Sequence, residues 1–301
     1  TAIIIFINML YRPLRQLADR FNTLQMGMVA SDRVINLLEK EDDIEGFGSD
    51  EIHNVNGEIT FKDVSFYYNP DEPILKNVSF TAEAGKTIAI VGATGAGKST
   101  IISLLMGFYK YQNGSVAIDG KEITELELDN LRSHFALVLQ DVFLFSDSIL
   151  NNITLKSDVD LDLVREAAIK IGVDEFIDKL PGKYDYDVKE RGGMLSAGQR
   201  QLLSFLRAYI TNPEILILDE ATSSIDTHTE ELIQKAIDVI TEGRTSIIIA
   251  HRLATIQKAD KILVLDKGEV MEEGTHLELL EKKGYYAKLY DMQFKKEENA
   301  A

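Results

Sequence analysis

The spacing of apolar residues changes character several times along this chain of 301 residues. Residues 1–11 are apolar apart from Thr1 and Asn8. As a helix such a run reaches only about 15 Å, half of the roughly 30 Å of a bilayer core. After Pro13, the residues Leu14, Leu17, Ala18, Phe21 and Leu24 share one helical stripe. Ser31-Asp32-Arg33 breaks that stripe before a further apolar set, Val34, Ile35, Leu37 and Leu38. Residues 1–40 therefore predict one long helix, or two joined ones, outside the main domain. An ordinary amphipathic surface helix fits the same pattern. Glu39, Glu41, Asp42, Asp43, Glu45, Asp50 and Glu51 then crowd a stretch that contains Gly46 and Gly48. Such a segment cannot bury enough apolar surface to fold alone, which predicts a linker over 41–56 and a domain opening near Gly57.

From Glu58 the pattern shifts to short β runs, Ile59-Thr60-Phe61, Val64 to Tyr68 and Val78-Ser79-Phe80, separated by turn residues. An apolar strand follows over Thr87 to Val91, then a Gly-rich loop, then a helix-forming run to Gly107. The region 142–211 reads mostly helical. Leu161, Val164, Ala167, Ala168 and Ile171 keep helical spacing, as do Leu202, Leu203, Leu206 and Ile210. Buried-strand patterns return at Ile215–Leu218, Ser246–Ala250 and Ile262–Leu265, with helical patterns between them at 229–240 and 253–258. That alternation predicts an α/β core with a largely parallel sheet. Thr275-His276-Leu277-Glu278 is a capping-box start for a last helix, and a charged tail follows over 296–301.

Composition narrows the picture. The 45% apolar and 27% charged fractions are those of an ordinary globular protein. A net charge of −17 disfavours nucleic-acid polymers as partners, because they need a basic surface. The absence of cysteine excludes disulfides and thiolate chemistry. No window of about 18 apolar residues exists to span a bilayer.

The chemistry starts at Gly92-Ala93-Thr94-Gly95-Ala96-Gly97-Lys98-Ser99, which fits G-x-x-x-x-G-K-[S/T]. The glycines let the backbone curl so that its N–H groups face phosphate oxygens, and the following helix adds its dipole. Lys98 is placed to meet the β- and γ-phosphates and Ser99 to ligate Mg²⁺. By average residue frequencies the pattern arises by chance in roughly 1% of chains this long. Here it also stands between a strand and a helix, the setting it requires. In Ile215-Leu216-Ile217-Leu218-Asp219-Glu220, a buried strand delivers two carboxylates at its C-terminal end, where α/β sheets hold ligands. Asp219 suits Mg²⁺, and Glu220 suits polarisation of an attacking water. An acidic pair after a strand is common by itself and gains its meaning from the upstream loop. Leu195-Ser196-Ala197-Gly198-Gln199 precedes a strong helical pattern. Its plain reading is a serine cap.

Together these motifs resemble those of the ATP-binding cassette (ABC) ATPases, over about 57–295 and in the family's order. The family's signature is L-S-G-G-Q, and this chain has Ala197 at the third place. Alanine tolerates positive φ less well than glycine, so a slightly altered loop is expected. The resemblance implies a P-loop NTPase, RecA-like core with an antiparallel β subdomain, an inserted α-helical subdomain at about 142–211, and a long helix ahead of them. It implies that Tyr68 stacks on adenine, against the alternative of a core strand tyrosine. It implies phosphate contacts from Gly92 through Thr100, and that Gln140 senses Mg²⁺ and the attacking water. Ser223-Ser224-Ile225-Asp226 resembles the family's D-loop, and His251 matches the switch histidine at the γ-phosphate. Val188-Lys189-Glu190-Arg191-Gly192 resembles a loop of exporters that touches membrane-domain helices, with Lys189 where glycine is usual. A solvated charge cluster is the plainer alternative.

The resemblance also implies MgATP as ligand and a head-to-tail dimer. Each of its sites joins one Gly92–Thr100 loop to the partner's Ser196–Gln199. It reads residues 1–40 as the cytoplasmic end of the last membrane helix of an exporter. That implies a membrane domain in the same parent chain and an ATPase domain on the cytoplasmic face of the cell membrane. Two alternatives are an importer's separate ATPase subunit, which lacks the 1–40 segment and the Glu190-Arg191 loop, and a soluble ABC protein of ribosomes or DNA, which usually carries two cassettes or a long coiled-coil insertion. Homodimer and heterodimer stay open, and the transported substrate is not written in these residues.

Overall fold

A computed structural model describes residues 2–39, 47–219, 227–250 and 252–293. The chain forms two units, Thr1–Glu45 and Gly46–Ala301. The first is a single helix, α1 (Ala2–Leu38). It runs without interruption through Pro13, which forfeits one backbone hydrogen bond, and through Ser31-Asp32-Arg33, where a break in the apolar stripe is not a break in the helix. Its large apolar side chains are exposed along its length, from Ile3 to Leu38. Among the described residues no helix is long and apolar enough to cross a membrane. Arg12, Arg15, Asp19 and Arg20 end the apolar run of α1 after its first turns.

The second unit opens with β1 (Ile59–Asn69) and β2 (Glu72–Ala82), then β3 (Thr87–Gly92) and α2 (Lys98–Leu105). Next come β4 (Asn113–Ile118), β5 (Lys121–Glu122), α3 (Leu128–Ser133) and β6 (Phe135–Val138). Four helices follow: α4 (Ile149–Thr154), α5 (Leu161–Ile171), α6 (Asp174–Asp178) and α7 (Ala197–Ile210). The chain then returns to the sheet with β7 (Ile215–Asp219), α8 (Thr227–Thr241), β8 (Thr245–Ile249), α9 (Leu253–Lys258) and β9 (Lys261–Asp266). It finishes with β10 (Glu269–Gly274), α10 (His276–Lys282) and α11 (Tyr285–Gln293). The capping box of Thr275 and Glu278 is formed at α10.

The strands build two sheets. One is antiparallel, in the order β2-β1-β4-β5. The other runs β10-β9-β3-β8-β7-β6 and is parallel except for β10. The parallel strands are buried on both faces, and their period of two divides the core. Ala89, Val91, Leu216, Leu218, Ile248, Ile262 and Val264 face the helices α4–α8. Ile88, Ile90, Ile215, Ile217, Ile247, Ile249, Leu263 and Leu265 face α2 and the antiparallel sheet. Each buried Ile or Leu contributes about 1.5–3 kcal/mol, so both faces hold the sheet rigid.

The segment 47–56, which the charge pattern reads as linker, lies against this unit. Ile52 and Val55 are buried. Asp50 bridges to Leu126, with its N–H donating to the Glu125 carbonyl at 3.1 Å and its carbonyl accepting from Glu127 N–H at 2.8 Å. Ile52 N–H donates to Asn130 Oδ1 at 2.7 Å. The Asp119 carboxylate accepts from the N–H groups of Asn56, Gly57 and Glu58. Composition misses this because every partner comes from residues far along the chain. Glu41, Asp42, Asp43, Glu45 and Gly46 lie outside the described residues, as does the tail from 296.

Candidate active site

The Gly-rich loop leaves the C-terminal end of β3 and closes onto α2. Two of its glycines are required by geometry. Gly92 has φ 155°, and a Cβ there would stand 2.1 Å from the Leu265 carbonyl oxygen of neighbouring β9. Gly97 precedes α2 with φ 103°, and a Cβ there would meet Leu75 Cδ2 at 2.6 Å. The turn is closed by Ala96 N–H donating to the Ala93 carbonyl at 3.1 Å, and Ala96 is buried. No side chain caps α2, so the first-turn N–H groups of the helix keep their capacity for an anion.

Lys98 is 8% exposed. Its Nζ donates to the carbonyls of Gly92 at 2.8 Å and Ala93 at 3.0 Å. Burial lowers its pKa below the usual 10.5, and the negative charge of Asp219 works in the opposite direction. The ammonium is thus held over the loop by two neutral carbonyls and one distant carboxylate. A polyphosphate would complete its coordination.

Around it opens a cleft of about 480 Å³ lined by Tyr68, Ile74, Thr94, Gly95, Gly97, Lys98, Ser99, Thr100, Gln140, Asp219 and Ile249. β1 brings Tyr68, β2 Ile74, the loop and α2 residues 94–100, the turn after β6 Gln140, β7 Asp219 and β8 Ile249. Asp219 stands opposite Ile249 in the β7/β8 register, so both strands end side by side at the cleft. Tyr68 is 47% exposed, not a core tyrosine. Its hydroxyl lies 3.4 Å from Thr100 Oγ1. Ile74 carries no motif and was not legible from sequence, yet it supplies apolar wall beside Tyr68.

The signature residues stand elsewhere. Ser196 caps α7: its Oγ accepts from Gln199 N–H at 3.1 Å, and Gln199 Oε1 accepts from Ser196 N–H at 2.9 Å. Ser196, Ala197, Gly198 and Gln199 are not among the residues lining the cleft. Ala197 is the first residue of α7 and has no positive φ. The strain expected from replacing glycine at this position is therefore absent, because the position is helical. Lys189, in contrast, has φ 62° and ψ −171°, a conformation that favours glycine. Asp187 compensates by accepting from its N–H and from its Nζ, each at 2.8 Å. Glu220, His251 and Ser223 to Asp226 lie outside the described residues.

Known proteins resemble this chain over nearly its whole length. A family profile described as ABC transporter matches residues 75–223. The probable multidrug resistance ABC transporter ATP-binding/permease protein YheH of Bacillus subtilis is 45% identical over 97% of this chain and 43% of its own length. The chain belongs to the ABC transporter family. The ATP-dependent lipid A-core flippase of Saccharophagus degradans is 45% identical over 94% of this chain and 48% of its own length. A bacterial Atm1-family ABC exporter solved with ATP bound superposes with a TM-score of 0.81 at 38% identity, over 96% of this chain and 51% of that one. This chain thus spans about half the length of the relatives it matches. Its second unit is the family's ATP-binding domain, a P-loop NTPase fold.

Proposed function

We propose that this chain is the ATP-hydrolysing part of an ABC exporter and works as a dimer enclosing two MgATP. The observation that carries the reading is the convergence of Tyr68, Lys98, Ser99, Thr100, Gln140 and Asp219 on one cleft, with the signature turn standing apart from it. A second subunit, identical or closely related, supplies its Ser196–Gln199 turn to complete each site. Relatives named ATP-binding/permease proteins match across nearly all of the chain, including the α1 region. That favours a membrane domain in the same parent chain over an importer's separate subunit, and in this reading the ATPase domain works on the cytoplasmic face.

Within the site, Tyr68 stacks on adenine, and the N–H groups of Gly92 through Thr100 with Lys98 hold the phosphates. Ser99, Gln140 and Asp219 offer a hydroxyl, an amide oxygen and a carboxylate in one cleft. These hard oxygen donors suit Mg²⁺, which keeps its remaining positions for water and phosphate. When bound, the ion neutralises charge on the phosphate oxygens. Phosphoryl transfer to water is mainly positioning and electrostatic stabilisation. Glu220 orients and deprotonates the water, and Gln140 and His251 hold water and γ-phosphate in line. Loss of the γ-phosphate removes what ties the loop to the partner's signature turn. The dimer opens, and Gln140 with the 188–192 loop transmits the motion to the membrane domain.

The test is Glu220→Gln. The variant keeps its affinity for MgATP and loses nearly all phosphate release. Wild-type turnover in this variant would remove Glu220 from the mechanism.

A further inference from the structure

Among the described residues, Tyr68 is the one aromatic side chain lining the cleft, and its ring is held in three ways. Phe66, which is buried, meets it edge to face with centroids 4.8 Å apart and planes at 89°. Tyr109, from the turn between α2 and β4, meets it edge to face at 5.0 Å and 84°. Its hydroxyl approaches Thr100 Oγ1 on α2. Phe66 and Tyr109 also touch each other, at 5.8 Å. Tyr109 itself does not line the cleft.

A half-exposed tyrosine near the end of a strand is otherwise free to sample several rotamers, and a base that stacks on it has to freeze them. Two perpendicular rings remove that freedom in advance. Phe66 is fixed by the core, where its loss would damage the fold. Tyr109 is half-exposed and lies on a surface turn, so its contribution is separable.

We propose that Tyr109 is a positioning residue for nucleotide binding, which sets the plane of Tyr68 before the base arrives. This rests on the reading of Tyr68 as the adenine platform. Tyr109 acts on the base and leaves the phosphate contacts alone, because its ring contacts are with Phe66 and Tyr68, whereas the phosphate loop is tied by Ala96 N–H donating to the Ala93 carbonyl and by Gly268 N–H donating to the Ala96 carbonyl.

The experiment measures dissociation constants of the whole chain for ATP and for inorganic triphosphate, both with Mg²⁺, in Tyr109→Ala, Tyr109→Leu, Tyr109→Phe and Tyr68→Ala. Loss of an aromatic pair predicts ATP binding about three- to tenfold weaker in Tyr109→Ala. Tyr109→Leu, which keeps apolar bulk without the ring, weakens it similarly. Triphosphate binding stays within about twofold, and Tyr109→Phe binds ATP like wild type, since the contact uses the ring and not the hydroxyl. If Tyr68→Ala weakens ATP binding while Tyr109→Ala and Tyr109→Leu do not, the positioning role is wrong and the platform stands. If Tyr68→Ala itself leaves ATP binding unchanged, the platform reading fails and takes this proposal with it. Equal loss of ATP and triphosphate binding in the Tyr109 variants would show general damage to the loop and overturn the proposal.

Discussion

Helices α2 and α7 both begin at a turn that carries a nucleotide motif, yet their N-termini are finished in opposite ways. At α2 the preceding residue is a glycine with positive φ and no side chain caps the helix. At α7 a serine and a glutamine form a complete capping box. Capping satisfies backbone donors that would otherwise await a partner. The first terminus therefore leaves donors for phosphate, and Lys98 beside it is a buried cation hydrogen-bonded to two loop carbonyls. The second is satisfied by its own side chains and offers a rigid, exposed edge. The loop at α2 is left for a ligand to complete, and the turn at α7 is already complete in itself. That asymmetry fits the proposal of a site shared between two subunits.

The largest expected effect breaks the first half. Lys98→Ala should lower hydrolysis by about 10²–10³-fold or more, the scale of losing one electrostatic contact to a transition state, and should weaken MgATP binding as well. Phosphate release and equilibrium binding check both.

Ser196→Ala breaks the second half and should separate the two quantities. Hydrolysis is expected to fall about ten- to a hundredfold, the cost of one hydrogen bond to a charged group. MgATP binding measured on dilute, monomeric chain should not change. Losing the cap also costs about 1 kcal/mol of stability, read by denaturant unfolding.

A smaller effect sharpens the role of Lys98. Burial pulls its pKa below 10.5. The unfolded chain keeps its proton to higher pH, so without added nucleotide the protein gains stability as pH rises from the lowered value toward 10.5. Triphosphate favours the charged form, so MgATP affinity should decline across the same alkaline range, by up to about tenfold per pH unit. A Lys98→Arg variant does not titrate there, and its affinity should stay flat over that range.

The smallest effect concerns Ala197. Because it occupies the first position of α7 with helical backbone, Ala197→Gly should cost at most about 1 kcal/mol of stability and should not raise turnover. A several-fold faster variant would show that the signature turn of this chain is impaired.

These expectations also show what could be read in advance. The strand–loop–helix of Gly92–Ser99 was legible because the motif and its flanking hydrophobic pattern state the same thing. The alternating burial of Ile88, Ala89, Ile90 and Val91 was legible as a strand covered on both faces. Ala197 misled because the signature's glycine suggested a positive φ that the helix start does not have. Residues 47–56 misled because local charge hides Ile52 and Val55, whose partners are supplied through tertiary contact. The restraint on Tyr68 by Tyr109 was invisible, since the two are 41 positions apart in the chain and no spacing rule joins them. Lys189 is the reverse case. Sequence marked it as standing in a glycine's place, and its backbone conformation gives the physical reason glycine fits there.

The claim that each site is shared between two subunits is tested most directly by the molar mass of Glu220→Gln in solution, with and without MgATP. The account predicts a monomer without nucleotide and a dimer holding two ATP with it, and no dimer once Ser196→Arg is added to block the signature turn. A Glu220→Gln chain that binds MgATP and stays monomeric at every concentration, or a dimer indifferent to Ser196→Arg, would contradict it.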